Sequence, residues 1–382
     1  MTHKKPSEDE IQKAIDLFSN GQSKNALSQV EVLLADYPND ALLLNIAGAC
    51  CASLINHDRA IEYYELALNI NPNYAQAHNN LANSFKEKGS LPQAIQSYHL
   101  AISINPNFSE AFNNLGNAYK ECNQIENAID SYLTAIEHNI HYAEAFNNLG
   151  IVLNEYDNLN VAVKSYMKVI DLNPNFAEAH YNLGVTFQSL GEINQAINCY
   201  KNAINYRSDY DDAYFSLGSI FQELDEFTSA IENYQKAISI NTNFEEAYSN
   251  LGIVYKKLGR LKEAEKSFKK AISINPHYLG AYSNLSLILS DLKRFDEAET
   301  ACRKAISLDS KFSIAHYNLG NILQSQKRHD EALNFYLEAI ALEPDDAEMH
   351  YMLGKNYRHL GSIAEADSAF TKAIELLSLI HI

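Results

Sequence analysis

Seven asparagines recur through this 382-residue sequence at intervals of 34 residues or twice that interval. They are Asn80, Asn114, Asn148, Asn182, Asn250, Asn284 and Asn318. Each carboxamide offers N–H donors and an oxygen acceptor, which are the groups that pair with a peptide main chain. Asparagine also destabilises a helix by about 0.5 kcal/mol relative to alanine, so its repetition at one phase requires an explanation. The spacing predicts a track that binds the backbone of an extended peptide with little dependence on its sequence.

Composition offers a competing interpretation, because asparagine is frequent at other phases, as at Asn71, Asn105 and Asn139. A second periodic set is acidic and lies four residues before the phase of the asparagines: Glu110, Glu144, Glu178, Asp212, Glu246 and Glu348. Acids in the first turn of a helix are stabilised by the helix dipole, and we prefer this explanation for the set. If these acids do face the track, they favour basic ligands.

Residue types that could perform catalysis or hold a metal are present, but their spacing argues against both functions. Four histidines, His78, His180, His316 and His350, share one phase of the 34-residue interval, where a large packing side chain is expected. The five cysteines, Cys50, Cys51, Cys122, Cys199 and Cys302, are scattered and form no C-x-x-C pair. No phosphate-binding glycine loop, G-x-S-x-G or H-E-x-x-H string occurs. We predict no catalytic, cofactor-binding or metal-binding residue and no enzymatic activity in this chain.

The interval of 34 residues extends through the sequence without insertion or deletion until its last few residues. Eleven units begin at Ser7, Ala41, Ala75, Ser109, Ala143, Ala177, Asp211, Glu245, Leu279, Ser313 and Ala347. We number positions from these residues. Six prolines then fall at position 32, eight glycines at position 8 and five glycines at position 15. Such a period is the signature of a repeat architecture.

Within each unit, apolar residues recur with helical spacing at positions 1–14 and 18–31, which predicts a helical hairpin. Small residues at positions 8, 20 and 27 lie where two helices must approach closely. Large residues at positions 4, 7, 11 and 24, such as Phe146, Leu149, Leu153 and Tyr166, fill the space around them. Proline at position 32 ends the second helix, and we expect asparagine or aspartate at position 33 to cap the next helix.

With Leu-Gly at positions 7 and 8, alanine at 20 and 27, an aromatic residue at 24 and proline at 32, the sequence resembles a tetratricopeptide repeat array. Position 4 departs modestly from the family, holding Phe, Tyr or His where the family often has Trp, and Ile140, Ser208, Thr242 and Ser310 replace the proline. The resemblance implies an all-α, right-handed superhelical solenoid of about eleven helix-turn-helix repeats. It further implies that the first helices line a concave groove and that the chain is a scaffold binding an extended peptide or protein segment.

The periodic asparagines occupy position 6, and they resemble the asparagines of the tetratricopeptide region of O-GlcNAc transferases, which hold the substrate backbone. The strings Asn-Asn-Leu-Gly at 113–116 and 147–150 are especially similar. This resemblance implies an alternative function, the N-terminal substrate-recruiting region of a larger glycosyltransferase whose catalytic domain is missing from this chain. No repeat has basic residues at both positions 2 and 6, so the carboxylate clamp of chaperone-binding members is not expected.

The charge of the chain restricts its partners. A formal net charge of −18 argues against a nucleic-acid partner held through its phosphates. The longest nearly apolar segment, 41–55, is shorter than the roughly 20 residues that span a bilayer. The first residues lack an apolar signal segment, so we expect a cytoplasmic protein without a membrane partner.

The two ends of the array differ. Residues 1–6 form a short N-terminal tail, and the polar first unit can act as a cap. Residues 7–376 form the array, and the apolar segment LSLIHI at 377–382 breaks the period. That segment resembles translated adapter sequence at a truncated end, so we expect the natural protein to continue. The uncapped last helix also predicts self-association.

Overall fold

A computed structural model describes residues 6–380 of the chain, with side chains described through residue 378. These residues form 22 α-helices and no β-strand. Residues 1–5 of the N-terminal tail and residues 381–382 of the apolar tail lie outside the described residues. The last helix continues through Ile380, so the segment 377–380 extends that helix beyond Leu376.

Each unit contributes a first and a second helix. The first helices are α1 (Glu8–Ser19), α3 (Ala41–Ser53), α5 (Ala75–Glu87), α7 (Ser109–Glu121), α9 (Ala143–Glu155), α11 (Ala177–Ser189), α13 (Asp211–Glu223), α15 (Glu245–Lys257), α17 (Leu279–Asp291), α19 (Ser313–Ser325) and α21 (Ala347–Leu360). The second helices are α2 (Ser23–Asp36), α4 (His57–Ile70), α6 (Leu91–Ile104), α8 (Ile125–His138), α10 (Leu159–Leu172), α12 (Ile193–Tyr206), α14 (Phe227–Ile240), α16 (Leu261–Ile274), α18 (Phe295–Leu308), α20 (His329–Leu342) and α22 (Ile363–Ile380).

The chain divides into two compact units, with the division between Cys199 and Tyr200 inside α12. In each unit, a second helix packs on the first helix of its own repeat and on the first helix of the next repeat. First helices of successive repeats also contact one another directly, as α5 contacts α7 and α15 contacts α17. Second helices of successive repeats make no comparable contact among the described residues. The first helices of each unit therefore form the inner side of its stack.

The close packing within a hairpin depends on positions 8 and 24. The Tyr132 and Tyr166 rings at position 24 are almost fully buried, and each lies flat against the backbone of a position-8 glycine. A Cβ atom added to Gly116 would lie 2.6 Å from the Tyr132 ring, and one added to Gly150 would lie 2.7 Å from the Tyr166 ring. Real Cβ contacts are longer than this, which explains the recurrence of glycine. The alanines at position 20 are fully buried, which confirms the predicted site of close helix contact.

The turn inside each hairpin requires a left-handed backbone at position 15. Glycine satisfies this requirement in five repeats, for example Gly89 with φ of 73°. Six repeats place another residue there with φ between 56° and 62°, including Asn123 and the β-branched Ile55. Asparagine tolerates this conformation, whereas a β-branched residue is strained in it. The glycines at position 15 therefore recur because the turn requires a positive φ there.

The expectation that position 33 caps the first helices is wrong. The N-cap residue is the aromatic residue at position 34, such as Tyr74 or Phe108, and its side chain makes no capping hydrogen bond. Polar side chains act earlier in the turn, because the Oδ1 atom of Asn71 at position 31 accepts a hydrogen bond from the backbone N–H of Asn73. Aspartate does cap two first helices, through Asp40 and Asp346 at position 34.

Candidate functional site

The position-6 asparagines lie on the inner side of each unit, along the first helices. Six of the seven are half-buried, and Asn318 is buried. We refer to this row as the asparagine ladder: Asn80, Asn114, Asn148, Asn182, Asn250, Asn284 and Asn318. Half-buried carboxamides on the inner side of the stack are held by the helices while part of each group remains open to solvent.

In the first unit, each ladder asparagine donates a hydrogen bond to the position-5 asparagine of the preceding repeat. The Nδ2 atoms of Asn114 and Asn148 lie 3.2 and 2.9 Å from the Oδ1 atoms of Asn79 and Asn113, respectively. Equivalent bonds join Asn80 to Asn45 at 3.1 Å and Asn182 to Asn147 at 3.3 Å. The ladder therefore links four successive pairs of repeats, a structural role that the sequence analysis missed.

The position-5 asparagines extend this network to the acidic residues at position 2. Asn79 donates a hydrogen bond of 2.9 Å to Glu110, and Asn113 donates one of 3.2 Å to Glu144. The helix-dipole explanation of the position-2 acids is thus incomplete, because these two carboxylates also have specific partners in the preceding repeat. Both position-5 side chains are fully buried, whereas both glutamates are exposed. A signal was present in the sequence, since asparagines occupy adjacent positions 5 and 6 in this part of the chain.

Each ladder side chain in the first unit retains hydrogen-bonding capacity. Among the described residues, the Oδ1 atoms of Asn114, Asn148 and Asn182 accept no hydrogen bond from protein, and each Nδ2 has a second N–H. The bond to the preceding repeat fixes the orientation of the carboxamide. The remaining acceptor and donor are thus pre-oriented, which lowers the entropy lost when a ligand binds.

The ladder has different surroundings in the second unit. Phe215 stands at position 5 and cannot accept a hydrogen bond from Asn250 in the next repeat. Asn318 donates to the Ser283 hydroxyl at 2.9 Å. The continuous chain of amides seen in the first unit is therefore absent from the described part of the second.

Position 9 lies on the same stripe of the first helices, and asparagines there accept hydrogen bonds from buried tyrosine hydroxyls. Tyr98 and Tyr132 donate hydrogen bonds of 2.6 and 2.7 Å to the side-chain oxygens of Asn83 and Asn117, respectively. Burial raises the pKa of both tyrosines above the ordinary value, so they remain protonated donors. These contacts join the core of each hairpin to its inner side.

Ion pairs connect the first helices of successive repeats near their ends. Lys120 at position 12 lies 2.8 Å from Glu155 at position 13 of the next repeat, and Lys86 lies 3.5 Å from Glu121. The basic residues of this surface are thus matched to acids, and exposed carboxylates such as Glu144 remain along the ladder.

The position-4 histidines have a structural partner. The Nε2 atoms of His180 and His316 donate to the backbone carbonyl oxygens of Pro174 and Ser310, at 2.9 and 3.0 Å. His78 and His350 make the same contact with the preceding turn. These bonds fasten each first helix to the loop that leads into it. No group of three or more His, Cys, Asp or Glu among the described residues is placed to hold a metal ion.

Four of the five cysteines are buried, and Cys122 is half-buried. Burial raises the pKa of the Cys50 and Cys302 thiols to about 11, with a hydrogen bond to Ser286 opposing this effect at Cys302. A thiol with this pKa is not ionised near neutral pH and is a poor nucleophile.

The last repeat presents an apolar surface between α21 and α22. Tyr351, Ile374 and Leu377 are about half exposed or more, and with Phe370 they line a depression of about 610 Å³. In the preceding repeats of the second unit, the first helix of the next repeat packs against the equivalent side of the hairpin. No helix in the described part of the chain combines the length and apolar character that crossing a membrane requires.

Comparison with known families gives matches along most of the chain. Residues 174–379 match the family described as the cilia and flagella-associated protein 70 C-terminal domain. Tetratricopeptide repeat families match residues 11–75, 82–121, 116–155 and 143–176. No curated protein sequence matches the chain.

Solved structures similar to the chain include repeat proteins of several kinds. The chain is 31% identical to MamA, covering 44% of this chain and 92% of MamA with a TM-score of 0.41. It is 23% identical to YrrB, a TPR protein with an unusual peptide-binding site, covering 48% and 95% of the two chains with a TM-score of 0.40. A chain of the APC/C hetero-tetramer Cut9–Hcn1 matches with 13% identity and a TM-score of 0.50, covering 96% of this chain and 86% of the matched chain.

The family matches and the likeness to the Cut9–Hcn1 structure confirm the predicted all-α tetratricopeptide solenoid. The comparisons do not support the similarity to O-GlcNAc transferases that the asparagine strings suggested.

Proposed function

Because the chain belongs to the tetratricopeptide repeat family described as the cilia and flagella-associated protein 70 C-terminal domain, we propose that it is a scaffold that binds an extended segment of another protein. Repeat solenoids present long continuous surfaces, and binding to such a surface is their general use. The segment lies along the first helices, on the asparagine ladder.

The observation that carries this proposal is the pre-oriented row of carboxamides in the first unit. Asn114, Asn148 and Asn182 each use one N–H to bond the preceding repeat and keep an oxygen acceptor and a second N–H. An extended peptide exposes alternating N–H and C=O groups that match this pair of functions. Because only main-chain groups are recognised, the track accepts many sequences.

The charge around the ladder sets a preference among those sequences. Glu110 and Glu144 are exposed beside the track and each carboxylate accepts a hydrogen bond from a buried asparagine. The asparagine is neutral, so the negative charge of each carboxylate remains uncompensated by it. Ligands that carry lysine or arginine therefore bind more tightly than neutral ones, and this part of the affinity weakens at high salt.

A backbone-recognition test uses a fluorescein-labelled peptide of repeated Thr-Lys-Val-Ser units, which is basic and favours an extended conformation. A second peptide of identical sequence carries N-methyl groups on alternate backbone nitrogens. Fluorescence anisotropy should show binding of the first peptide and a loss of about tenfold in affinity for the second, because its backbone donors are removed. Equal affinity of the two peptides would mean that side-chain charge alone drives binding, and the ladder would have no role.

The variant N114A/N148A/N182A tests the same track from the side of the protein. It should bind the unmodified peptide about tenfold more weakly than the parent chain does. Its affinity for the N-methylated peptide should be no higher than its affinity for the unmodified one. The matched control is N73A/N107A/N175A, which makes three identical substitutions at exposed turn positions outside the ladder. Circular dichroism checks that both variants remain folded. If the control loses as much affinity as the ladder variant, the proposed location of the track is wrong.

A further inference from the structure

One segment of this acidic chain is strongly basic. Residues 256–270 hold seven of the 30 lysines and arginines and only two of the 48 acidic residues. Four of the lysines are on α16, a second helix, and they are Lys262, Lys266, Lys269 and Lys270. The charge of these four lysines therefore lies outside the first-helix surface that carries the asparagine ladder.

Three of these lysines border a groove between α14 and α16. The groove encloses a cavity of about 660 Å³, whose floor is formed by α15 and includes Tyr248, Leu251 and Tyr255. Lys266, Lys269 and Lys270 line the cavity from the α16 side, while Gln235 and Ile238 line it from α14. Gln235 donates a hydrogen bond of 3.1 Å to the Tyr255 hydroxyl, which fixes one wall of the groove. The cavity is thus apolar at its base and cationic along one edge.

The positive charge of this edge is largely uncompensated. Lys269 pairs with Glu265 at 2.7 Å, but Lys266 and Lys270 form no ion pair with any described residue. Glu263, the acidic residue among those lining the cavity, is held by two hydrogen bonds from Arg260, at 2.9 and 2.7 Å. An anionic ligand would therefore meet two exposed lysines without having to displace an internal partner.

The last repeat has a similar groove, and comparing the two shows which features are specific to the groove between α14 and α16. Between α20 and α22, a cavity of about 650 Å³ has Leu353 and Tyr357 on its floor at the same repeat positions as Leu251 and Tyr255. Its edge carries Ser368 where the basic groove has Lys266, and it keeps Lys372 at the position of Lys270. The apolar floor is a recurrent product of the repeat. Lysines at both positions 22 and 26 occur in the second unit only in the repeat that begins at Glu245, and in the first unit as Lys164 and Lys168.

We propose that the groove between α14 and α16 binds an acidic segment of a partner protein that inserts an aromatic or large aliphatic side chain. The cavity receives the apolar side chain, and Lys266 and Lys270 pair with carboxylates on either side of it. Complementary charge brings the segment to the groove, and burial of the apolar side chain supplies the specific contact. This surface is separate from the asparagine ladder, so one scaffold holds a basic and an acidic segment at different places.

The test uses the full chain and a fluorescein-labelled peptide, Asp-Glu-Glu-Phe-Asp-Glu-Asp, with a second peptide in which serine replaces phenylalanine. Anisotropy should show binding of the phenylalanine peptide and about tenfold weaker binding of the serine peptide. The variant K266Q/K270Q should weaken binding of the phenylalanine peptide about tenfold, as expected for the loss of two ion pairs. The variant K262Q/K304Q removes the same net charge from exposed lysines that do not line the cavity, and it should change affinity less than about twofold.

Three results would overturn this proposal. One is an equal loss of affinity in the two lysine variants, which would reduce the effect to overall charge. Another is equal binding of the phenylalanine and serine peptides, which would leave the cavity without a role. The last is displacement of the peptide by a single-stranded RNA oligonucleotide that itself binds more tightly and depends on Lys266 and Lys270, which would identify a polyanion site. The ladder peptide of the previous test serves as an independent control, because its binding should be unaffected by K266Q/K270Q.

Discussion

Both units have ion pairs between successive repeats, but among the described residues only the first unit also joins its first helices through a series of carboxamide hydrogen bonds. In the first unit, neutral carboxamides link the first helices, as when Asn148 donates to Asn113 at 2.9 Å. In the second unit, Arg294 and Arg328, the residues that precede α18 and α20, lie 2.8 and 2.6 Å from Glu265 and Glu299 in the second helices of the preceding repeats. Polar links between successive repeats can therefore lie on the first helix or on the second helix of the hairpin.

Carboxamides can bond a neighbouring repeat and still offer a donor and an acceptor to a ligand, so they suit a binding surface. An arginine–glutamate pair uses the full charge of both groups, and each of these arginines also bonds a second glutamate in its own repeat. The second unit therefore has these arginine–glutamate links away from the first helices.

The largest effect is expected at positions 8 and 24, where eight repeats pair a glycine with a tyrosine or phenylalanine and one repeat of the second unit has neither. That repeat of the second unit has Ser286 and Cys302 at these positions. G150S should destabilise the first unit by about 3 kcal/mol through overpacking against Tyr166, and Y166C should cost about 3 kcal/mol through a cavity.

The double variant G150S/Y166C should cost at least about 1 kcal/mol less than the two single variants together, because the serine fills space that the tyrosine leaves. Urea unfolding followed by circular dichroism measures the cycle. Additive costs would show that the Ser286–Cys302 pair is not a compensating exchange.

A smaller difference in stability is expected when the buried position-5 residues of the two units are replaced by alanine. N113A removes a fully buried amide that accepts from Asn148 and donates to Glu144, and it should destabilise α7 and α9 by about 2 kcal/mol. S249A, at the same position in the second unit, should cost less than about 1 kcal/mol. Hydrogen exchange read by mass spectrometry reports each helix separately, and similar protection losses at the two sites would contradict the difference drawn between the units.

The ion pairs of the second unit should make its stability depend on pH. Burial acts to raise the pKa of Glu265 and Glu299, but hydrogen bonds from lysine and arginine outweigh it, and both pKa values lie below the ordinary range. Their stabilisation is therefore complete at neutral pH and is lost as the pH falls through the ordinary glutamate range toward the lowered values.

We expect α16 and α18 to lose protection against exchange as the pH falls, and to lose less in 1 M salt because the ion pairs are already screened there. The hydrogen bond from Asn182 to Asn147 joins two neutral amides and does not titrate, so α11 provides the internal control in the same hydrogen-exchange experiment. In the variant E265Q/E299Q the difference between the units should disappear. A pH response that survives in this variant would assign it to other groups.

The smallest effect concerns the two ends of the array. The first helix presents exposed Asp9, Lys13 and Asp16, whereas the last hairpin presents Ile374 and Leu377. The sequence predicts self-association through this last hairpin, and light scattering should then show a mass that rises with concentration. I374E/L377E should abolish the rise, and a constant mass for the parent chain would remove the prediction.

Much of the fold could be predicted from the sequence, because the repeat presents each structural requirement many times. The glycines at position 8 and the alanines at position 20 indicated close helix contacts, and both sets are packed as expected. The capping expectation at position 33 was wrong because several polar residues lie in the same short turn, and sequence alone does not show which of them faces the helix end. Asn71 and Asn73 illustrate this, since the former accepts the hydrogen bond and the latter donates it through its backbone.

The sequence by itself determined the repeat length, the hairpin in each repeat and the phase of the asparagine ladder, because helical periodicity assigns every position to a face. Only the tertiary structure decided what the ladder side chains touch. Asn113 and Asn148 are 35 residues apart and form a hydrogen bond because stacking brings their helices together. The groove beside Lys266 and Lys270 arises in the same way, since its walls come from helices of two repeats and a cavity exists only where three helices pack. Distances between side chains of different repeats depend on how the repeats stack, and periodicity within one repeat does not contain that information.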